Sequence, residues 1–126
     1  MARKTVQLDD GWKIGDTVHK EVELTEVSTA MMFAANDAAE KVVVLPGGQP
    51  ALVVSDVLLD RHLLAQQIVR VGTHKDIAIT ADRLTELSRV DYLALQTAAG
   101  EMDMASKIAL EAHAERGRDE EPPKGS

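Results

Sequence analysis

Cysteine is missing from this 126-residue chain, which excludes disulfide staples and thiolate chemistry and suits a reducing compartment. Aromatic residues are nearly missing as well: Trp12, Phe33 and Tyr92 are the whole set, 2% of the chain. Each ring buries roughly 150–250 Å², so a core built on Leu, Val, Ala and Met gains little area per residue. A marginal fold that leans on a partner is expected. No run of basic residues occurs, and 21 acidic residues against 14 basic ones give a net charge of −7. That balance argues against nucleic acid, because a phosphate backbone is bound by clustered Lys and Arg. No apolar run approaches the ~18–20 residues of a membrane span. The opening Met1-Ala-Arg-Lys-Thr5 has charge but no apolar stretch behind it, so no signal peptide is read there. The expected location is the cytoplasm of the cell that makes the protein.

What is present suits one α+β domain over residues 1–116, with a disordered acidic, Pro-containing tail over 117–126. An N-terminal β-hairpin is expected over 3–24. Val6 and Leu8 alternate with polar neighbours, Asp9-Asp10-Gly11 supplies turn chemistry, and Gly15-Asp16 closes a longer loop. In the second strand Val18, Val22 and Leu24 share one face, and His19, Glu21 and Glu23 take the polar one. Such a hairpin is marginal alone, so its apolar face must pack on something. The helical part, 28–116, holds three to four helices. The first runs from Ser28 to about Lys41 on a stripe of Met31, Ala35 and Ala38. A second short hairpin is read at about 42–54, from two β-branched runs around Pro46-Gly-Gly-Gln-Pro50. The second helix is capped by Ser55, carries Leu64, Ile68 and Val71 at helical spacing, and stops at Gly72. Thr80 caps a brief helix. The longest runs from Arg89 to about Glu115, with Ser88-Arg-Val-Asp91 as its capping box.

Catalytic constellations do not assemble from these residues. His62, His74 and His113 are widely separated, His19 lies on a strand, and no histidine pair has the spacing of a zinc helix. The Pro46-Gly47-Gly48 loop lacks the Lys-Ser/Thr of a phosphate cradle. No nucleophile elbow occurs. The expectation is a non-enzyme without metal or cofactor.

Two features point to binding. Met31-Met32 and Met102…Met104 pair flexible, polarizable side chains of the kind found on adaptable surfaces. In neither pair do both residues face a core squarely, since positions one or two apart on a helix point in different directions. The long last helix carries Tyr92, Leu95, Ala99, Met102, Ala105 and Ala109 as an Ala-rich, underfilled stripe. Ordinary packing of both features in the core stands beside the binding reading. The candidate partner-binding residues are Met31, Met32, Tyr92, Leu95, Ala99 and Met102.

As an ordered set, Thr5-Val-Gln-Leu8, Asp10-Gly11, His19-Lys-Glu-Val-Glu-Leu24, Gln67-Ile-Val-Arg-Val-Gly72, Ile79-Thr80, Leu84, Leu87-Ser88 and Asp91-Tyr-Leu-Ala-Leu95 resemble the tail assembly chaperones of Mu-like and P2-like contractile-tailed phages. In that likeness, which spans roughly residues 5–96, the Gln67 segment corresponds to the end of the central helix. Thr25 stands where the family often has Arg, and the Val42–Val54 excursion is not a standard part. The resemblance implies a chaperone that holds the helical tape measure protein soluble until the tail tube polymerises. Such a chaperone is absent from the mature virion. It also implies, as a partner, a longer frameshifted form of the chain, which Pro122-Pro123-Lys124 codons could support. Self-association is a further expectation, which the acidic surface would deter. The rival reading is a structural tail or baseplate component.

Overall fold

The computed structural model describes residues 1–120, with side chains through Ala114. Two long strands, β1 (Arg3–Ile14) and β2 (Thr17–Thr25), form the N-terminal hairpin, followed by α1 (Thr29–Ala39). A ribbon of β3 (Glu40–Val44) and β4 (Pro50–Val54) leads to α2 (Asp56–Gln67). Then come β5 (Ile68–Val71), β6 (His74–Lys75), a 3₁₀ turn over Ala81–Glu86 and α3 (Arg89–Glu120). The mixed α+β class and the second hairpin agree with the sequence reading.

The hairpin turn lies one loop later than expected. Strand β1 continues through Asp9-Asp10-Gly11 to Ile14, and the reversal falls at Gly15-Asp16. The Asp9–Gly11 stretch is instead a bulge: Gln7 pairs with Glu21, but Trp12 pairs with His19. Gly11 takes φ 91° there, a conformation that side chains with a Cβ resist. Extra residues on one strand leave backbone N–H groups without ladder partners, and those donors are captured by α3.

The second helix also ends sooner than its spacing suggests. It stops at Gln67, and Ile68–Val71 leaves it as β5, antiparallel to β2 with Val22 opposite Val71 and Glu23 opposite Arg70. The sheet order is β1-β2-β5-β6. Three of the four β5 residues are β-branched, which suits a strand, and the open edge of β2 supplies the pairing. The Gln67–Gly72 segment is therefore a helix-to-strand junction and not a helix end. At the junction Gln67 is buried and its side-chain amide donates to the Thr25 carbonyl at 3.1 Å.

Trp12 is fully buried, with Val6, Leu8, Val22, Leu24, Leu64, Ile68, Val71, Leu84 and Leu95 around it. The only tryptophan of the chain is thus placed wholly inside the core. Its indole N–H donates to Glu86 at 3.1 Å, and Arg83 beside Glu86, followed by that indole, holds the Glu86 carboxyl below its usual range. His19, expected on a polar face, is buried: Gly72 lies against its ring at φ 58°, where a Cβ would overlap the imidazole. The His74 ring meets it edge-on at 4.9 Å. On α1 the buried stripe is Ala35 and Ala39, with Ala38 exposed. Helix α3 extends past the expected end near Glu115, so residues 117–120 of the expected tail are helical. The rest of that tail, 121–126, lies outside the described residues.

Candidate partner-binding groove

Helix α3 is positioned by one buried carboxylate. Ser88 Oγ accepts from the Asp91 amide at 3.2 Å, the N-cap half of a capping box. Asp91 does not complete the box. Its Oδ1 accepts from the amide of Asp9 at 2.7 Å, and its Oδ2 from those of Asp10 and Gly11 at 3.1 and 3.0 Å. The donors stranded by the β1 bulge are thus satisfied, and a negative charge sits in the first turn of α3, where the helix dipole favours it. This clamp lays α3 along β1.

Helices α1 and α2 pack on each other, and both start at serine caps. Ser28 Oγ accepts from the Met31 amide at 3.1 Å and Ser55 Oγ from the Leu58 amide at 3.4 Å. Between this pair and α3 runs an open groove of about 360 Å³. Its apolar lining comes from Val27, Met32, Leu63, Leu64, Ala99 and Met102, and Gly100 leaves one wall bare. Its polar lining includes Glu26, Asp60 and Asp103. Asp103 pairs with Lys107 at 3.3 Å, and Glu26 accepts from the Ala2 amide at 3.1 Å. Asp60 has no ion-pair partner among the described residues. A second hollow of about 530 Å³ continues along α3 past Ala105, Ala109 and Leu110, and shares Glu26, Met102 and Ser106 with the first. Its rim carries the Lys4–Glu101 ion pair.

Of the candidate binding residues, Met32, Ala99 and Met102 come together on the groove. Leu95 is fully buried in the core, and Tyr92 is half-buried against it with its hydroxyl accepting from Gln96 at 3.0 Å. Met31 is half-buried outside the groove, where its carbonyl accepts from Gln66 at 3.3 Å. Leu63 and Asp60, which sequence reasoning passed over, line the groove from α2. Their signal was the spacing of Asp60, Leu63, Leu64 and Gln67, which at i, i+3, i+4 and i+7 places all four on one face of α2. Among the described residues no group of three or more His, Asp or Glu is placed to hold a metal ion, and no helix is long and apolar enough to cross a membrane.

The family model described as tail assembly protein gp41, of the Mu type, matches residues 8–118. The chain is also similar to the Mu-like prophage FluMu protein gp41 of Haemophilus influenzae, with 34% identity over 67 residues. That alignment covers 53% of each protein, so the chain spans about half the length of this curated relative. No solved structure matches the chain.

Proposed function

Because the chain belongs to the Mu-type tail assembly protein gp41 family, we propose that it serves tail assembly as a non-catalytic chaperone, holding apolar helical segments of a tape measure protein in the groove between α1, α2 and α3. The observation that carries this reading is the groove itself: methionines from two helices on an open apolar floor with carboxylates around it. Flexible methionine side chains adapt to successive, non-identical client turns, as a chaperone on a long protein requires. An amphipathic helix docks in such a groove through residues three and four apart. The carboxylates of Glu26, Asp60 and Asp103 favour clients whose apolar stripe is flanked by Lys or Arg. Binding takes place in the host cytoplasm, and the chaperone leaves before the virion matures. A longer frameshifted form would present the same groove.

Gly100 offers a test in which folding and binding move in opposite directions. A Cβ at position 100 meets nothing within 4 Å, so a larger side chain projects into the groove. Replacing glycine inside a helix also stabilises it by about 0.5–1 kcal/mol. The variant Gly100→Leu should therefore unfold no earlier than the wild type, while recovery of soluble co-expressed tape measure protein falls at least about tenfold. Undiminished recovery with Gly100→Leu would remove the groove from the mechanism. If wild-type chain leaves the tape measure insoluble, or mass spectrometry finds the chain in purified virions, a structural tail role replaces the chaperone reading.

A further inference from the structure

The two hollows beside α3 follow one another along that helix. Gln96 and Ala99 line the first alone, Met102 and Ser106 line both, and Ala109 and Leu110 line the second alone. From Gln96 to Leu110 the helix rises about 21 Å at ~1.5 Å per residue, the length of about four turns. The hollows thus make one groove of limited length.

The charges at its two ends differ. Apart from the shared Glu26, the charged lining of the first hollow is Asp60 and Asp103, and that of the second is Arg3, Lys4 and Glu101. Ion pairs reduce the contrast but leave its direction. Asp103 is paired with Lys107, whereas Asp60 has no ion-pair partner among the described residues. Arg3 and Lys4, paired with Glu23 and Glu101, have exposed side chains with further N–H groups to donate. Helix ends inside the chain do not reverse this. Val27, just before the cap of α1, and Gln67, the last residue of α2, both line the first hollow, so the partial charges of those two ends oppose each other. The ends of α3, Arg89 and Glu120, lie more than a turn outside the groove.

We propose that the occupant is a helical segment of about four turns that begins and ends inside the groove, its N-terminal end at Asp60 and its C-terminal end at Arg3 and Lys4, parallel to α3. The inference rests on the chaperone reading above and names the form of client that the groove takes. A helix leaves N–H groups unpaired at its start and carbonyls unpaired at its end, with partial charges of matching sign. The Asp60 carboxylate accepts from the first set, and Lys4 and Arg3 donate to the second. The reverse direction sets carbonyls against Asp60 and amides against the cations. Both ends together give a preference of about tenfold for one direction. A continuous longer helix carries its ends past these groups and is held by the apolar floor alone.

The probe is a blocked, Ala-based 16-residue peptide with a Leu stripe and with Lys residues symmetric about its centre, so that side chains favour neither direction. A nitroxide is placed at its first or last residue, and amide line broadening is read on the full, isotope-labelled chain. The first-residue label should broaden Asp60 and Leu63, and the last-residue label Lys4 and Ala109. Asp60→Asn combined with Lys4→Gln should weaken binding a few-fold and abolish the direction, each label then broadening both ends. Ten more helical residues at the N-terminal end of the peptide, with helicity matched by circular dichroism, should weaken binding at least about threefold. Reversed broadening, broadening of both ends of the wild type by either label, or undiminished binding of the longer peptide overturns the proposal and leaves the groove in place. If neither label affects groove amides, or Gly100→Leu binds the short peptide as well as wild type does, the groove reading falls with it.

Discussion

Asp91 is the residue on which the arrangement of helix and sheet depends most, because one side chain closes three backbone donors from a strand some 80 positions away. Removing it strands those amides in a part-buried site, where an unsatisfied donor costs about 1–3 kcal/mol. Asp91→Ala is therefore expected to cost about 3 kcal/mol, read as a fall in the urea midpoint at unchanged slope. Asp91→Asn keeps one acceptor oxygen and should lie between the two. A loss below about 1 kcal/mol for Asp91→Ala would mean the bulge closes on water instead. The capping-box spacing at Ser88 was legible in the sequence, and its Ser88 half is present. The role of Asp91 was not, since which donors a carboxylate reaches depends on which strand lies beside it. That dependence also moved the hairpin turn. Asp9-Asp10-Gly11 and Gly15-Asp16 both carry turn chemistry, and only the contact with α3 makes the first a bulge.

At the scale of elements, helices with clear caps and the Pro/Gly-centred ribbon could be read from residues alone. Strand β5 could not. Leu64, Ile68 and Val71 satisfy helical spacing, and a short apolar run does not separate strand from helix without the neighbouring edge. The same holds for the candidate site. The stripe on α3 was visible as a period, but where it passes from core at Leu95 to groove at Met102 depends on how α3 lies across β1 and α2. The β2–β5 pairing that the sequence concealed has an electrostatic signature. Arg70 on β5 lies 2.9 Å from Glu21 and 3.6 Å from Glu23 on β2. Its guanidinium, and then Gln7, hold the Glu21 carboxyl below its usual range; Arg3 leads and Arg70 assists at Glu23. A carboxylate whose folded pKa is depressed contributes stability above its unfolded pKa and loses it as pH falls through the folded value. The pairs should thus be at full strength at neutral pH and fade below the ordinary carboxylate range. In Arg70→Met the drop in urea midpoint between pH 7 and pH 3 should shrink. An unchanged drop would place the acid sensitivity elsewhere.

For the whole molecule, the proposed client binding assigns separable contributions to charge and to apolar surface. The net charge of −7 acts over a Debye length of about 10 Å at 0.1 M salt and about 3 Å at 1 M. In the proposed chaperone role it would therefore govern encounter with a Lys- or Arg-flanked client more than the bound state. The apolar floor of the groove, from Met32 to Met102, would in that role touch a client only once it is seated, and so would govern release. Surface-binding kinetics on an immobilised tape measure segment should show this division. Between 0.05 and 0.5 M NaCl the association rate is expected to fall about tenfold, with the dissociation rate constant within about twofold. Asp60→Asn, at the rim carboxylate without an ion-pair partner among the described residues, should reproduce part of the fall at low salt and almost none at high salt. Equal association rates at both salt concentrations would separate the acidic surface from client capture. Its role would then be solubility alone, and the groove would select clients by apolar shape.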